Sequence, residues 1–542
     1  MMKHCCIYLF IFLVGCKQAS ETSSEEIPQA VWLANEADTM GVDFTWISGD
    51  AGKFNMPEII GGGGALFDYD NDGDLDLYMV QGGYLDSPQE VMNQLFRNEN
   101  GHFKNVTEES NSGDTGYGMG VAAGDYNNDG HVDLYITNVG KNTLLQNNGD
   151  GTFKDTTLFA GVGDIGWGAS TAFADFDQDG DFDLYVVNYL IWEHGLKIDC
   201  YNAKGAIDYC SPTNYMAPQR DVVYKNNGDG TFTDMTTNAG LGARIGTGLG
   251  VLCNDYTGDG LIDIFVANDG MADQLWENQG DWTFIDVAPL RGCALDDEGN
   301  AKAGMGVASE DFDHDGDLDI IVCNLTGESD SLFRNDGDFF TDITSSKGIR
   351  TSTRHATRFG LGMIDFNNDG YLDLFEANGK VQQSGESNTK DPFAEPNLLL
   401  EGGENGWIPI AGLSPNSSHT SRGAIFGDIN NDGGIDVVVI NKDSNAYILM
   451  NKVPARGDAA LFEVLTPQGS PALGALLKIT TNGKTITKPV QSASSYLAAN
   501  DPRVHVPIED GNILENVTVF WTDGTSTNFG SFSSGIHSLK KK

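Results

Sequence analysis

Basic side chains are scarce in this chain: 32 lysines and arginines stand against 78 aspartates and glutamates in 542 residues, a net charge of −46. Such a surface repels phosphate and excludes nucleic acid as a partner. No CxxC pair or His-rich spacing is present, which removes zinc. The nine histidines are scattered, with His102, His131 and His314 in turns, and no Ser/His/Asp order, HExxH or separate Glu pair offers a catalytic constellation. Glycine-rich stretches such as "GGGGA" at Gly61 lack a following helix, a GxGxxG or a GKS/T, so they do not read as nucleotide loops. Acid-rich chains are often disordered, but 40% of these residues are hydrophobic and 10% aromatic, enough to build cores. The acid must be locally organised, and the length calls for several domains or a repeat array.

The N-terminus carries Lys3, an apolar run from Ile7 to Val14 and then Leu13-Val14-Gly15-Cys16, which reads as a lipoprotein export signal with Cys16 as the lipidated residue. The run is too short for a stable transmembrane helix. The polar "KQASETSSEE" that follows reads as a flexible tether holding the folded part off a membrane. Lys17 after the cysteine resembles the bacterial sorting pattern for the outer membrane, on its periplasmic or surface face. Of the cysteines beyond the signal, Cys200 and Cys210 share one loop and are the expected disulfide of an exported protein, while Cys253 and Cys323 sit in apolar strand contexts as small buried hydrophobes.

Seven acidic loops organise the rest. "DYDNDGDLD" at Asp68 recurs at Asp125, Asp175, Asp255, Asp311, Asp365 and Asp428, mostly 50 to 63 residues apart, the one longer interval holding the Cys200–Cys210 loop. Position 1 is always Asp, and position 5 is always Asp: Asp72, Asp129, Asp179, Asp259, Asp315, Asp369 and Asp432. Position 3 is Asp70, Asn127, Asp177, Thr257, Asp313, Asn367 or Asn430, and position 9 is Asp76, Asp133, Asp183, Asp263, Asp319, Asp373 or Asp436. Oxygen at 1, 3, 5 and 9 is what a hard cation such as calcium demands. Position 7 runs through Asp74, His131, Asp181, Leu261, Asp317, Tyr371 and Gly434, an indifference that a backbone carbonyl ligand explains. Position 6 is glycine throughout, as a turn with positive φ requires, and position 8 is always apolar. An EF-hand would need Glu at position 12, where only Glu376 supplies one, and β-rich runs such as "LYITN" follow the loops instead of helices. Two carboxylates about 4 Å apart repel by roughly 4 kcal/mol at an effective dielectric near 20, so loops holding three or four should open without a cation.

Between the loops, "NNGDGTF" at Asn147 and Asn226, with looser copies at Asn98, Asn278 and Asn335, signals hairpins. Each unit then has a cation-loop strand, a second strand, a hairpin and an outer strand, behind a glycine-rich approach whose small residues let strands crowd an axis. The last unit lacks its outer strand, and "VDFTWIS" at Val42 to Ser48 is the expected substitute, closing a ring of seven.

These loops resemble the FG-GAP/VCBS repeats of integrin-α-type propellers, with Phe359-Gly360 matching the signature's Phe-Gly. The tail, with "GALLKITTNGKTITKPV" from Gly474, "SSYLAANDPRVHVPI" from Ser494 and "VTVFWTDGTSTNF" from Val517, is similar to ASPIC/UnbV C-terminal domains, with "HVPI" at His505 replacing the usual glycine-leucine-glycine. The resemblance implies calcium at up to seven loops, through each residue named above at positions 1, 3, 5, 7 and 9, with Thr257 giving the weakest site. The expected organisation is all-β: a signal at 1–16, a tether at 17–38, a seven-bladed propeller at 39–453 with an insertion at 190–221, and a small β-rich domain at 454–542. The expected function is a calcium-binding, membrane-anchored scaffold for a protein or glycan. The alternatives are a calcium-dependent glycan lyase or hydrolase and an accessory subunit of an outer-membrane uptake system. The insertion, with Trp192, Tyr201, Tyr209 and Tyr215, is the candidate surface. His355 and Arg358 could face a ligand channel, an inter-blade contact being the plainer reading.

Overall fold

A computed structural model describes residues 30–542 except 86, 88, 197, 384–390, 416–417, 482–483 and 509–511, so the signal, the lipidated cysteine and most of the tether lie outside the described residues. No helix among the described residues is long and apolar enough to cross a membrane.

The glycine-rich approaches form the innermost strands of seven antiparallel sheets: Gly64–Phe67, Gly118–Gly124, Gly168–Ala174, Gly248–Asn254, Val307–Glu310, Arg358–Ile364 and Ser421–Gly427. Each innermost strand touches the next, and the seventh touches the first, so the sheets close into a ring with a common axis. Every acidic loop links an innermost strand to the second strand of its sheet, which starts at the position-9 aspartate, as in Asp76–Met79 and Asp133–Asn138. All seven loops therefore stand on one face of the ring. The alternating burial expected of a sandwiched sheet is absent here, because the first two strands of each sheet are packed on both sides by neighbouring sheets and bury nearly every residue.

Ring closure differs in detail from the sequence expectation. The fourth strand of the seventh sheet is Leu33–Asn35, antiparallel to Asn451, Met450 and Leu449 with Leu413–Ser414 parallel outside it, so the ring begins inside the segment read as tether. Val42 to Ser48 keeps its apolar alternation, with Phe44 and Trp46 buried, but makes only isolated bridges at Thr45–Asn445 and Trp46–Lys442. Once Leu33–Asn35 occupies the free edge of Tyr447–Asn451, this run has no ladder left to join and instead carries Trp46 inward against Gly62 and Gly82.

The C-terminal residues build a three-stranded sheet, Val504–Ile508, Asp458–Leu465 and Gly535–Lys540, and a four-stranded one, Lys484–Pro489, Leu476–Thr481, Leu514–Phe520 and Ser526–Phe532, around a core that includes Phe462, Leu477, Val506 and Leu539. This part sits on the acidic-loop face, where Thr522 donates to Asp175 at 3.2 Å, the His505 ring meets Gly433 O at 3.2 Å and Lys488 pairs with Glu310 at 2.7 Å.

It is not a separate appendage. Between its two sheets the chain descends into the ring, and Gln491 to Asn500 form hydrogen bonds with every innermost strand. Ala498 and Ala499 pair in parallel with Gly64 and Ala65. The Ser492 hydroxyl donates to Ala123 O at 3.4 Å, Leu497 N to Ser170 Oγ at 3.1 Å, and Asn254 to Gln491 at 2.9 Å. Val307 and Ser495 exchange backbone bonds, Leu361 N donates to Ser495 Oγ at 3.0 Å and that hydroxyl donates to Ala424 O at 2.7 Å. Tyr496 and Leu497 are completely buried, with the Tyr496 ring 5.0 Å from Phe359 and its hydroxyl donating to Ile60 O at 3.2 Å. One glycine shows why the approaches are small. A Cβ on Gly63 would lie 1.8 Å from Leu497 O, so the innermost strands leave room for this axial segment as well as for one another.

The opposite end of the axis is covered by the insertion. Cys200 and Cys210 are disulfide-bonded with Cα atoms 5.3 Å apart. Tyr209 is buried between Phe54 and Phe393, at 5.1 and 5.4 Å, and its hydroxyl donates to Glu58 at 3.3 Å. Cys253, Cys293 and Cys323 are free and buried.

Candidate metal centres

The same hydrogen bonds fold all seven loops. The position-1 carboxylate accepts the backbone N–H groups of positions 5 and 6, Asp68 doing so from Asp72 at 3.1 Å and Gly73 at 2.9 Å. Asp125, Asp175, Asp255, Asp311, Asp365 and Asp428 repeat the pair. Position 5 accepts from the N–H of position 7 in every loop. Position 9 accepts the N–H of position 2 on one oxygen and a third-strand N–H on the other, as Asp76 does from Tyr69 at 2.9 Å and Asn98 at 2.8 Å. Gly73, Gly130, Gly180, Gly260, Gly316, Gly370 and Gly433 at position 6 all have φ between 83° and 105°, the left-handed region that only glycine enters freely.

These bonds leave strong acceptors over. Asp70 Oδ1, Asp177 Oδ1 and Thr257 Oγ1, all at position 3, are buried without a hydrogen-bond partner. Carboxylate oxygens gather within 4.8 Å of one another in three loops, at Asp68, Asp70 and Asp76, at Asp175, Asp177 and Asp183, and at Asp311, Asp313 and Asp315. In three others the position-3 amide donates to the position-5 carboxylate, Asn127 to Asp129 at 2.9 Å and Asn367 to Asp369 and Asn430 to Asp432 at 3.0 Å. Burial pushes Asp76, Asp183, Asp319 and Asp373 up to about 8 and Asp263 to about 7, and drives Asp133 and Asp436 well above the carboxylate range. Orphaned oxygens and buried acids fit a hard cation, which takes only oxygen ligands and neutralises the carboxylates. These clusters could hold metal ions.

Two sets of residues escaped sequence reading, and both tie the loops to one another. Position 4 has φ near 60° in six loops and 76° at Gly258, and in five its side-chain amide crosses to the next loop. Asn71 donates to Gly130 O, Asn128 to Gly180 O, Gln178 to Gly260 O, Asn368 to Gly433 O, and Asn431 to Gly73 O across the ring closure. Position 7, whose identity varies freely, has work for its side chain here, since Asn71, Asn128 and Asn431 also reach His131, Asp181 and Asp74. The recurring Asn at position 4, with Gln178 once, was the available signal. The second set is the asparagine that opens the hairpin motif. Asn98, Asn147, Asn226, Asn278, Asn335 and Asn451 each donate to a loop carbonyl of their own sheet and to the position-2 carbonyl of the preceding sheet's loop, Ile429, Tyr69, Tyr126, Phe176, Tyr256 and Phe366 in turn. In the sixth sheet Gly402 takes this place, and Trp407 donates instead to Leu372 O at 2.7 Å.

The residues suggested for a ligand channel are structural or peripheral. Arg358 is completely buried, pairs with Asp330 at 2.7 Å and donates to the carbonyls of Thr353, Ala356 and Glu328. His355 is exposed. In the insertion, Tyr209 is buried and Trp192 stacks edge-on with Trp167 at 6.0 Å, whereas Tyr201 is 64% exposed.

Comparison with known proteins agrees with this geometry. FG-GAP-like repeats match residues 68–136, 125–186, 255–322 and 311–376, and the ASPIC and UnbV family matches 466–535. Cartilage acidic protein 1 of Xenopus tropicalis is 25% identical over 496 residues, 85% of this chain and 70% of that protein. The Mus musculus protein of the same name is 27% identical over 302 residues, 54% of this chain and 44% of that protein, so the match spans less than half its length. Among solved structures, Sqt1 of Saccharomyces cerevisiae is 10% identical with a TM-score of 0.39, over 72% of this chain and 95% of that one. The chain carries FG-GAP-like repeats in a propeller-like fold and an ASPIC and UnbV domain at its C-terminus, and is similar to cartilage acidic protein 1.

Proposed function

We propose that the chain is a calcium-loaded propeller scaffold that binds a macromolecular partner, protein or glycan, through the ring face opposite the acidic loops. The observation that carries the calcium reading is the set of orphaned position-3 oxygens, Asp70 Oδ1, Asp177 Oδ1 and Thr257 Oγ1, inside loops that every other hydrogen bond has already closed. Bound calcium would be held by side chains at positions 1, 3, 5 and 9 and the position-7 carbonyl, and would supply positive charge, not chemistry. The acidic-loop face is covered by the C-terminal sheets, which leaves the far face for a partner. There the disulfide-bonded insertion exposes Ile191, Tyr201 and Met216, at 58%, 64% and 87%, an apolar and aromatic set suited to anchoring a contact.

Elemental analysis of calcium-equilibrated protein should find several bound calcium ions per chain; no stoichiometric metal removes the reading. The calcium-loaded chain should bind a target on protein or glycan arrays, and Tyr201→Ala with Met216→Ala should abolish it. Undiminished binding by that variant moves the partner site elsewhere. Cys16 is proposed to carry the lipid that holds this scaffold at a membrane, the outer membrane in a bacterium. Cys16→Ser should move the protein from the membrane to the soluble fraction, and retention at the membrane refutes the anchor.

A further inference from the structure

Position 3 is the only side-chain ligand whose charge varies among the seven loops, and a second position varies with it. In each sheet the residue at loop position 10 pairs with a third-strand residue: Leu77 with Phe96, Leu134 with Leu145, Leu184 with Tyr224, Ile264 with Trp276, Ile320 with Phe333, Leu374 with Leu400 and Val437 with Leu449. The next residue along the third strand is therefore equivalent in all seven sheets and lies beside the position-9 aspartate. It is Arg97, Lys225 or Arg334 where position 3 is Asp70, Asp177 or Asp313. It is Gln146, Glu277, Glu401 or Met450 where position 3 is Asn127, Thr257, Asn367 or Asn430. A basic residue thus accompanies the extra carboxylate in three loops of three, and none is found in the other four.

Contacts follow the pattern. The Lys225 ammonium reaches Asp177 and lies 3.1 Å from Asp179, while Trp282 Nε1 donates to Asp177 at 2.7 Å. Arg334 pairs with Asp336 at 2.8 Å and reaches to 4.0 Å from Asp313. Arg97 pairs with Glu99 and acts on Asp70 only through space, opposing the rise that burial causes there. In the seventh loop a different cation, Arg456, sits on the position-5 carboxylate Asp432 at 2.7 Å, where it does not touch position 3. The same three loops carry Asp74, Asp181 and Asp317 at position 7, so each holds five carboxylates against three in the others, and that excess strengthens cation binding while straining the cation-free loop.

We propose that Arg97, Lys225 and Arg334 are affinity-setting residues, each offsetting part of the extra carboxylate charge of its loop and so lowering that loop's affinity for calcium. This rests on the calcium reading above. Plain surface ion pairs would share the contacts but not the consequence, since exposed pairs contribute little to either state.

The test is equilibrium calcium binding to the full chain, alongside thermal unfolding with calcium and with chelator. Removing a unit charge about 6 Å from a divalent ion at the dielectric of water changes affinity about tenfold. In Arg97→Gln/Lys225→Gln/Arg334→Gln, three sites should therefore tighten about tenfold and the chelated protein should unfold at a lower temperature than chelated wild type. Adding Asp70→Asn/Asp177→Asn/Asp313→Asn should restore both quantities. Unchanged or weaker calcium binding in the triple variant, or an equal loss of stability with and without calcium, overturns the proposal while leaving the calcium reading intact. Absence of calcium binding by wild type overturns both.

Discussion

Chelation of divalent ions from the full chain should lower its unfolding midpoint by at least about 15 °C, and calcium, not sodium chloride at equal ionic strength, should restore it. A site loaded at a hundred times its Kd contributes about 2.7 kcal/mol. Seven such sites act on one closed ring, and for a chain of this size each kcal/mol moves the midpoint by roughly 1–2 °C. The loss should be cooperative, because the loops are not independent. Asn71, Asn128, Gln178, Asn368 and Asn431 bond five of the loops to the next, and the third-strand asparagines bond six of them to the following sheet. Opening one loop removes the partners of two others. Acid should partly substitute for calcium. Without a cation, burial raises Asp76, Asp183, Asp319 and Asp373 to about 8, far above the value of an unfolded aspartate. Their protonated forms favour the fold below about pH 4, and that contribution is lost as pH rises through 7 to 8. The chelated protein should therefore unfold at a higher temperature at pH 5 than at pH 8.5, with the difference shrinking when calcium is present. A chelated midpoint within about 3 °C of the calcium-loaded one would show that hydrogen bonds alone hold the loops.

The candidate cation ligands were legible because the chain supplies its own comparison. Seven copies separate positions that need oxygen from position 7, where Leu261, Tyr371 and Gly434 are tolerated. What stayed hidden depends on neighbours that only the closed ring brings together. Asn71 and Asn431 look like ordinary turn residues until Gly130 and Gly73 stand beside them. Asn147 announces a hairpin locally, and nothing nearby in sequence reveals its bond to Tyr69 O in the previous sheet. The closing strand was misplaced for a related reason. Leu33–Asn35 is three residues with no visible alternation, whereas Val42 to Ser48 alternates cleanly because Phe44 and Trp46 face the ring interior. Apolar alternation reports burial, and burial does not require a ladder.

Removing the two buried side chains of the axial segment, Tyr496→Ala with Leu497→Ala, should loosen the whole ring and not only the C-terminal sheets. Each residue is completely enclosed, and truncating buried aromatic and leucine side chains costs about 3–5 and 2–5 kcal/mol. The location of the damage matters more than its size. Gln491 to Asn500 touch all seven innermost strands, whose small residues leave an axial gap that no ring side chain fills. A sheet in this ring meets its two neighbours along its faces, whereas the axial segment contacts sheets on opposite sides at once. Hydrogen exchange should therefore rise in Gly64–Phe67, Val307–Glu310 and Arg358–Ile364 together in the double variant. Leu477→Ala, in the C-terminal core, should instead raise exchange first in Leu476–Thr481 and Leu514–Phe520. Unchanged exchange in the innermost strands of the double variant would mean that the ring is self-sufficient and the axial segment merely docked. A filled axis also bears on where a partner binds. Chain from the C-terminal domain occupies the position on the acidic-loop side that a channel ligand would need, and Tyr209 and Glu58 close the other end. Under the proposed scaffold reading, recognition falls to the rim and the exposed insertion, so a soluble peptide spanning Gln491 to Asn500 should not compete with the partner for the intact protein, while a peptide of the disulfide-bonded insertion should.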